Sequence, residues 1–216
     1  MTGKYYYLVG ILLTAAALAA TSLAYPQLPD LVARHWDVNG QPNGYSPKWV
    51  LFLIGPGLMA GVMLLTWRLP WLSPKHFQVE SVQPTYRWIM LITVGMLAYI
   101  DAVVLWAGVG HTVNVGRAGL FGVCLFLAFL GNVAGKIRRN FYIGVRTPWA
   151  LANERVWNAT HRLAAKTFVL GGLAGLALLA MGLNGWPPFI AALAGALIPV
   201  PYSLYFYKQL ERRGEL

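Results

Sequence analysis

The chain has a single cysteine, Cys124, among 216 residues. One thiol excludes an intrachain disulfide and nearly removes cysteine-based metal ligation. Charge is also scarce. Asp, Glu, Lys and Arg make up 11% of the residues, where a soluble domain carries about a quarter. Acids are the scarcest group, 7 against 17 Lys and Arg. The sequence has no H-E-x-x-H pair, low-complexity tract or internal repeat. What is left is apolar: 57% hydrophobic residues and a mean hydropathy of +0.54. So few charges cannot cover that much apolar surface in water, which makes lipid the expected solvent. The formal net charge of +10 invites a nucleic-acid reading. The basic residues, however, lie in connectors between apolar runs, where the positive-inside bias of membrane proteins accounts for them. No direct nucleic-acid binding is expected.

Six apolar runs are long enough to span a bilayer, which takes about 20 helical residues. They cover residues 5–25, 49–67, 85–107, 117–135, 163–183 and 186–207. The first could instead be a secretory signal, with Lys4 before it and Ser22-Leu23-Ala24 as a weak cleavage site, but it is long for a signal core. Pro56 should kink the second run, and Pro199 and Pro201 the sixth. Gly57 and Gly61, Gly131 and Gly135, and Gly171 and Gly175 give three GxxxG faces suited to close helix contact, within one chain or between chains. Between runs one and two, residues 26–48 hold four prolines and the turn signals Asn39-Gly40 and Asn43-Gly44, so a short β-hairpin or compact loop is expected.

The long polar stretch from Asn132 to His161 orients everything else. It carries Lys136, Arg138, Arg139, Arg146 and Arg155 between two apolar runs, as a cytoplasmic connector does. With the N-terminus inside, 14 of the 17 basic residues fall on inner segments, leaving Arg34, Lys48 and Arg117 outside. The expected fold is therefore all-α: a multi-pass membrane protein of six transmembrane helices, N-in and C-in. It has a compact outer loop after helix 1 and an interfacial inner helix between helices 4 and 5. Residues 1–110 form a three-helix N-terminal module with the outer loop 26–48. Residues 111–216 form a second three-helix module with the inner loop 136–162.

In that second module stand Asn132, the run Arg138-Arg139-Asn140-Phe141-Tyr142-Ile143-Gly144-Val145-Arg146-Thr147-Pro148-Trp149, then Val156-Trp157 and Thr160-His161-Arg162. This series resembles the SdpI family of bacterial immunity proteins. The first half, with Leu28-Pro29, His35-Trp36-Asp37, Gly40, Gly44-Tyr45 and Lys48, is similar to an uncharacterised module that often precedes it. The chain departs from the family pattern at Ala150, where Thr is common, and at Val133-Ala134-Gly135, where a proline is usual. The resemblance implies a protein of the bacterial inner membrane that protects the cell from a secreted peptide toxin. It also implies a receptor whose inner face captures a small winged-helix repressor. No cofactor and no turnover are implied.

The residues suggest two surfaces. On the outside, His35, Trp36, Asp37, Gly40 and Tyr45, with Asp101 from the third span, are candidates for engaging the toxin. Because His35, Asp37 and Asn39 alternate, an extended segment would place them on one face. With Asp101 or His111 that face offers a zinc-like set, which keeps a membrane metalloenzyme as a rival reading. Asp101 is the one acid within a span, and such groups are functional candidates by default. It suits a polar clamp to another helix, through Thr or Tyr. With Pro56 and Pro199 it also motivates a small transporter. On the inside, Arg138, Asn140, Gly144, Arg146, Thr147, Pro148, Trp149, Trp157, Thr160 and His161 are candidates for the partner site. Thr147-Pro148 is a helix start. From there Trp149, Asn153, Val156, Trp157 and Thr160 fall on one face, as an interfacial helix would have it. For His161 a structural hydrogen-bonding role is expected over a catalytic one.

Overall fold

The computed structural model describes residues 3–37, 39–72, 83–140 and 142–216. Lys75 and Glu80 of the connector after the second run, and Phe141 of the Arg-rich loop, lie outside the described residues. The elements in chain order are α1 (Gly3–Ala24), β1 (Leu31–Trp36), β2 (Pro42–Pro47), α2 (Val50–Phe52), α3 (Leu58–Leu72), α4 (Gln83–Gly108), α5 (Val115–Ala134), α6 (Pro148–Ala152), α7 (Glu154–Ala180), α8 (Trp186–Leu197) and α9 (Pro199–Arg212). Among the described residues, six stretches are long and apolar enough to cross a membrane: Lys4–Gln27, Val50–Leu69, Gln83–Gly108, Val115–Ala134, Glu154–Ala180 and Trp186–Arg212. At 1.5 Å per residue, 20 to 27 residues give about 30–40 Å, enough for a hydrocarbon core of about 30 Å.

Pro56 and Pro199 act where expected, each with a defined local form, while Pro201 lies within the first turn of α9. Pro56 lies in a π-helical turn, Leu53–Gly57, that joins α2 to α3. Proline has no N–H to give to the ladder, and the wider turn takes up the mismatch without ending the span. In the last span the chain breaks between α8 and α9, and Pro199 starts α9, where its missing N–H costs nothing.

The helices pack in two groups. α1, α3 and α4 lie against one another, and α5, α7, α8 and α9 form a second set, with α4 meeting α5 between them. The second set is held by close backbone approach. A Cβ on Gly131 would lie 2.7 Å from the Val169 amide nitrogen, and one on Gly172 would overlap the Cys124 carbonyl on α5. A Cβ on Gly171 would lie 2.8 Å from the Gly195 Cα on α8. Lipid tails are as apolar as leucine, so it is this contact that favours association in a bilayer. Gly131 and Gly171 thus serve contacts within the chain, whereas a Cβ on Gly61 would meet open space.

The β-hairpin, the turn before α5 and the turn before α8 gather at one end of the bundle. The Arg-rich loop and the C-terminus gather at the other. At the hairpin end Gly40 abuts Gly116, and Arg117 donates to the Leu179 carbonyl at 2.8 Å. At the Arg-rich end the Tyr142 hydroxyl donates to the Leu72 carbonyl at 2.6 Å, and Arg155 pairs with Glu215 at 2.7 Å.

Candidate functional sites: a groove under the hairpin and an Arg-rich loop

β1 and β2 pair antiparallel from Leu31↔Pro47 to Trp36↔Pro42, with register shifts on either side of His35. A regular strand shows alternate residues to each face. The irregularity breaks that alternation, so four consecutive residues, Arg34, His35, Trp36 and Asp37, line one groove. Its remaining walls come from α4 (Met96, Ile100, Val103, Val104), α5 (Val115, Gly116, Gly119, Leu120, Val123) and the start of α8 (Trp186, Phe189). The volume is about 610 Å³. Polar groups rim one side, while aromatic and aliphatic side chains form the floor.

Each expected outer residue has a definite place. His35 Nδ1 donates to Asn43 Oδ1 at 2.5 Å. The Asp37 carboxylate closes the hairpin turn by accepting from the amides of Asn39 (2.9 Å) and Gln41 (2.8 Å). The extended face expected from His35 to Asn39 therefore ends in a turn. Gly40 has φ +81°, and a Cβ there would lie 2.8 Å from Asn114 Oδ1, so it docks the hairpin on α5. Tyr45 is exposed and outside the groove lining. Trp36 also packs on the cluster formed by Leu28, Val32, Leu51, Val104 and Leu105, which seats the hairpin on the bundle.

Asp101 is not part of this groove. Its side chain is buried toward α1 and the π turn, where Thr21 Oγ1 donates to Oδ2 at 3.4 Å and Gly55 presses against the carboxyl. This is the arrangement of a clamp, and the partner is a threonine. His111 stacks on Trp106 with ring centroids 3.9 Å apart. The set His35, Asp37, Asp101 and His111 is thus not brought together, and among the described residues no three His, Cys, Asp or Glu side chains gather to hold a metal.

At the other end, the polar stretch folds around three side chains. Asn140 Oδ1 accepts from the amides of Tyr142 and Ile143, both at 2.8 Å, and its Nδ2 donates to the carbonyls of Arg138 (2.9 Å) and Ile143 (3.1 Å). Trp157 is fully buried, and its Nε1 donates to the Ile137 carbonyl at 2.7 Å. His161 stacks on Trp157 at 4.1 Å. Its Nε2 accepts from the Val145 amide at 3.0 Å, so Nδ1 carries the proton and donates to the Trp157 carbonyl at 2.9 Å. With one nitrogen engaged by the loop and the other by its own helix, this imidazole is a structural element. Gly144 has φ +116°, and any Cβ there would enter the His161 ring at Nε2.

The segment after this loop is not one interfacial helix. Thr147 caps α6 by accepting from the Ala150 amide at 3.2 Å. Asn153, in extended conformation, then ends α6 and caps α7 by accepting from Arg155 and Val156. The fifth span thus begins at Glu154, not Leu163. Ser203 Oγ donates to the Val200 carbonyl, which leaves the Thr147 hydroxyl to donate to Ser203 Oγ at 2.8 Å and tie α6 to α9. Asn140, Trp157, Thr160 and His161 are all buried. The solvent-facing members of the expected partner set are Arg138, Gly144, Arg146 and Pro148, and Lys136, Arg139, Arg155 and Arg162 share that surface. Burial of Trp157 and Thr160 escaped the sequence because the helical periodicity has an inner and a lipid-side solution, and only tertiary contact distinguishes them.

Residues 136–203 match the SdpI/YfhL protein family, and residues 12–60 match a domain of unknown function, DUF1648. The chain is 26% identical over 168 residues to Immunity protein SdpI of Bacillus subtilis (strain 168), covering 76% of this chain and 77% of that relative. No solved structure matches it. The family match begins at Lys136, at the head of the loop that Asn140 and His161 organise, and with six membrane-length helices around that loop the chain is a multi-pass membrane protein whose residues 136–203 are similar to the SdpI/YfhL family.

Proposed function

We propose that this protein is an immunity protein of the bacterial inner membrane, protecting the cell from a secreted peptide toxin that it engages in the groove beneath the hairpin. The observation that carries the reading is the groove itself. It is about 610 Å³, opens at the hairpin end, and combines an apolar floor with the Trp36, Trp186 and Phe189 rings and the Arg34 cation. Aromatic rings at that level suit the membrane–water interface. An amphipathic peptide arriving from outside meets this surface first, with the Arg-rich end in the cytosol. His35, Trp36 and Asp37 are the toxin-facing part of the outer set. Gly40 and Tyr45 hold or flank the hairpin, and Asp101 holds α1 to α4.

The second element of the proposal is signalling by two modules, residues 1–110 and 111–216. The groove lies where α4 meets α5, and the loop at the opposite end bridges the same two helix groups through Tyr142 and the Leu72 carbonyl. A peptide wedged between α4 and α5 would shift the loop, and with it the cationic surface of Arg138 and Arg146 beside Pro148. A small winged-helix repressor is the partner implied by the family resemblance. The enzyme and transporter readings fit less well: the weighed metal ligands lie apart, and Asp101 faces Thr21 and Gly55.

The test is survival. A producing strain deleted for this gene is complemented with the wild-type chain or with Gly119→Phe, whose Cβ starts in open space and whose ring fills the groove. Wild type restores survival and Gly119→Phe does not, at equal membrane abundance. Equal killing with and without the wild-type chain overturns the immunity reading. Full protection by Gly119→Phe overturns the groove.

A further inference from the structure

A second cavity, of about 370 Å³, runs along α4 between α1 and α5 and has no part in the outer groove's chemistry. Val9, Leu13, Trp88, Gly95, Phe121 and Phe129 are among its walls. The one hydroxyl among its lining residues, on Tyr99, is already donated to the Ala118 carbonyl at 3.0 Å. From Trp88 to Tyr99 the cavity follows eleven residues of α4, about 16 Å. Half of a bilayer's hydrocarbon core is about 15 Å. The cavity therefore has the length of one leaflet's hydrocarbon, and its Trp88 end is the one nearer the Arg-rich loop. A Cβ on Gly95 meets nothing within 4 Å, so the groove is open at its middle.

The end nearest the Arg-rich loop is basic. Tyr6 meets Trp88 edge-on at 6.1 Å, Lys4 precedes Tyr6 on α1, and Arg87 precedes Trp88 on α4. Arg87 donates through Nη2 to Gln83 Oε1 at 2.6 Å, while its buried Nε has no acceptor among the described residues. An apolar slot as long as one leaflet's hydrocarbon, with Arg87 next to its Trp88 wall and a buried Nε left to donate, matches an anionic phospholipid with one acyl chain.

We infer that this cavity holds one anionic phospholipid, with an acyl chain lying along Gly95 and the phosphate beside Arg87 and Lys4. The lipid packs the seam between the two helix groups and ends at Met96, which also lines the outer groove. The test is native mass spectrometry of the full-length protein purified in detergent and incubated with equal phosphatidylglycerol and phosphatidylcholine. The wild type retains one phosphatidylglycerol. Gly95→Phe loses it, and Gly61→Phe, whose Cβ also points into open space but on α3, keeps it. Arg87→Gln still binds lipid, with its preference for phosphatidylglycerol narrowed about fivefold. A second readout needs no groove-filling variant. Trp88 fluorescence, taken as wild type minus Trp88→Phe, is quenched by phosphatidylglycerol with a brominated chain. Equal retention of the two lipids by the wild type, undiminished lipid on Gly95→Phe, or an unquenched Trp88 each overturns the assignment.

Discussion

Replacing Gly144 with alanine tests how the Arg-rich loop is held. Two costs are expected. At φ +116° a residue with a Cβ is strained, by on the order of 1–3 kcal/mol. The added methyl also collides with His161 Nε2, which must retreat and leave the Val145 amide without its acceptor, at about 1–3 kcal/mol. The sum is about 2–4 kcal/mol once the loop relaxes. His161→Ala removes the collision but also removes the acceptor for Val145 and the donor for the Trp157 carbonyl. In the double variant, the collision and the lost hydrogen bond are counted once instead of twice. The deficit should therefore be smaller than the sum of the single deficits by about 1 kcal/mol or more. Unfolding of the four proteins in one detergent, by denaturant or heat, gives the cycle. Deficits that add within about 0.5 kcal/mol would refute the idea that Gly144 is required by His161, leaving backbone strain alone.

Other outcomes follow from single contacts. Trp157→Phe keeps the buried ring but strips the Ile137 carbonyl of its donor, so stability should fall by about 1–3 kcal/mol in the same assay. Asp101→Asn retains an acceptor for Thr21 and should stay within about 1 kcal/mol of wild type, since hydrogen bonds between membrane helices average about 0.6 kcal/mol. Gly55→Ala drives a methyl into the Asp101 carboxyl and should cost more, about 1–3 kcal/mol. Inverted ranking of those two would remove the clamp. For topology, Cys124 is the sole thiol and is fully buried, so it gives little background. A membrane-impermeant maleimide added to intact cells should label Tyr45→Cys and spare Arg138→Cys.

Much of this molecule could be read from its sequence because a bilayer limits the options. A span needs length and apolarity, and both are local properties, so six spans and the hairpin region were accessible from runs and turn residues alone. Pro56 announced a disturbance in the second span, but its form as a π turn was not accessible, because that depends on which backbone groups find partners. His35, Trp36 and Asp37 are consecutive in the chain and line the groove together. Asp101 was expected to join them from its depth in the third span. Depth says nothing of rotation about the helix axis, and rotation is what turned Asp101 to Thr21 while Ile100 and Val103 face the groove. Arg34, Gly119, Trp186 and Phe189 carried no local signal, since a groove built from four elements exists only after packing.

The Arg-rich loop shows why motif residues and contact residues need not coincide. Its polar residues divide by length. Short side chains with both donor and acceptor atoms, Asn140 and Thr147, turn inward and satisfy backbone groups of the turn and of α6. His161, on α7, reaches in from below and fixes Val145. The long cations Lys136, Arg138, Arg139 and Arg155 remain at the surface, where a guanidinium or ammonium keeps its hydration. A motif dense in Asn, Gly, Thr, Trp and His therefore reports on the loop's framework. Its charged positions carry what a partner would meet. It follows that Arg138→Glu should abolish capture of a partner with little change in stability, whereas Asn140→Ala should lower stability first, by about 2–4 kcal/mol for four hydrogen bonds lost around one turn. If Arg138→Glu unfolded the protein, or Asn140→Ala left its unfolding unchanged, that division of labour would fail.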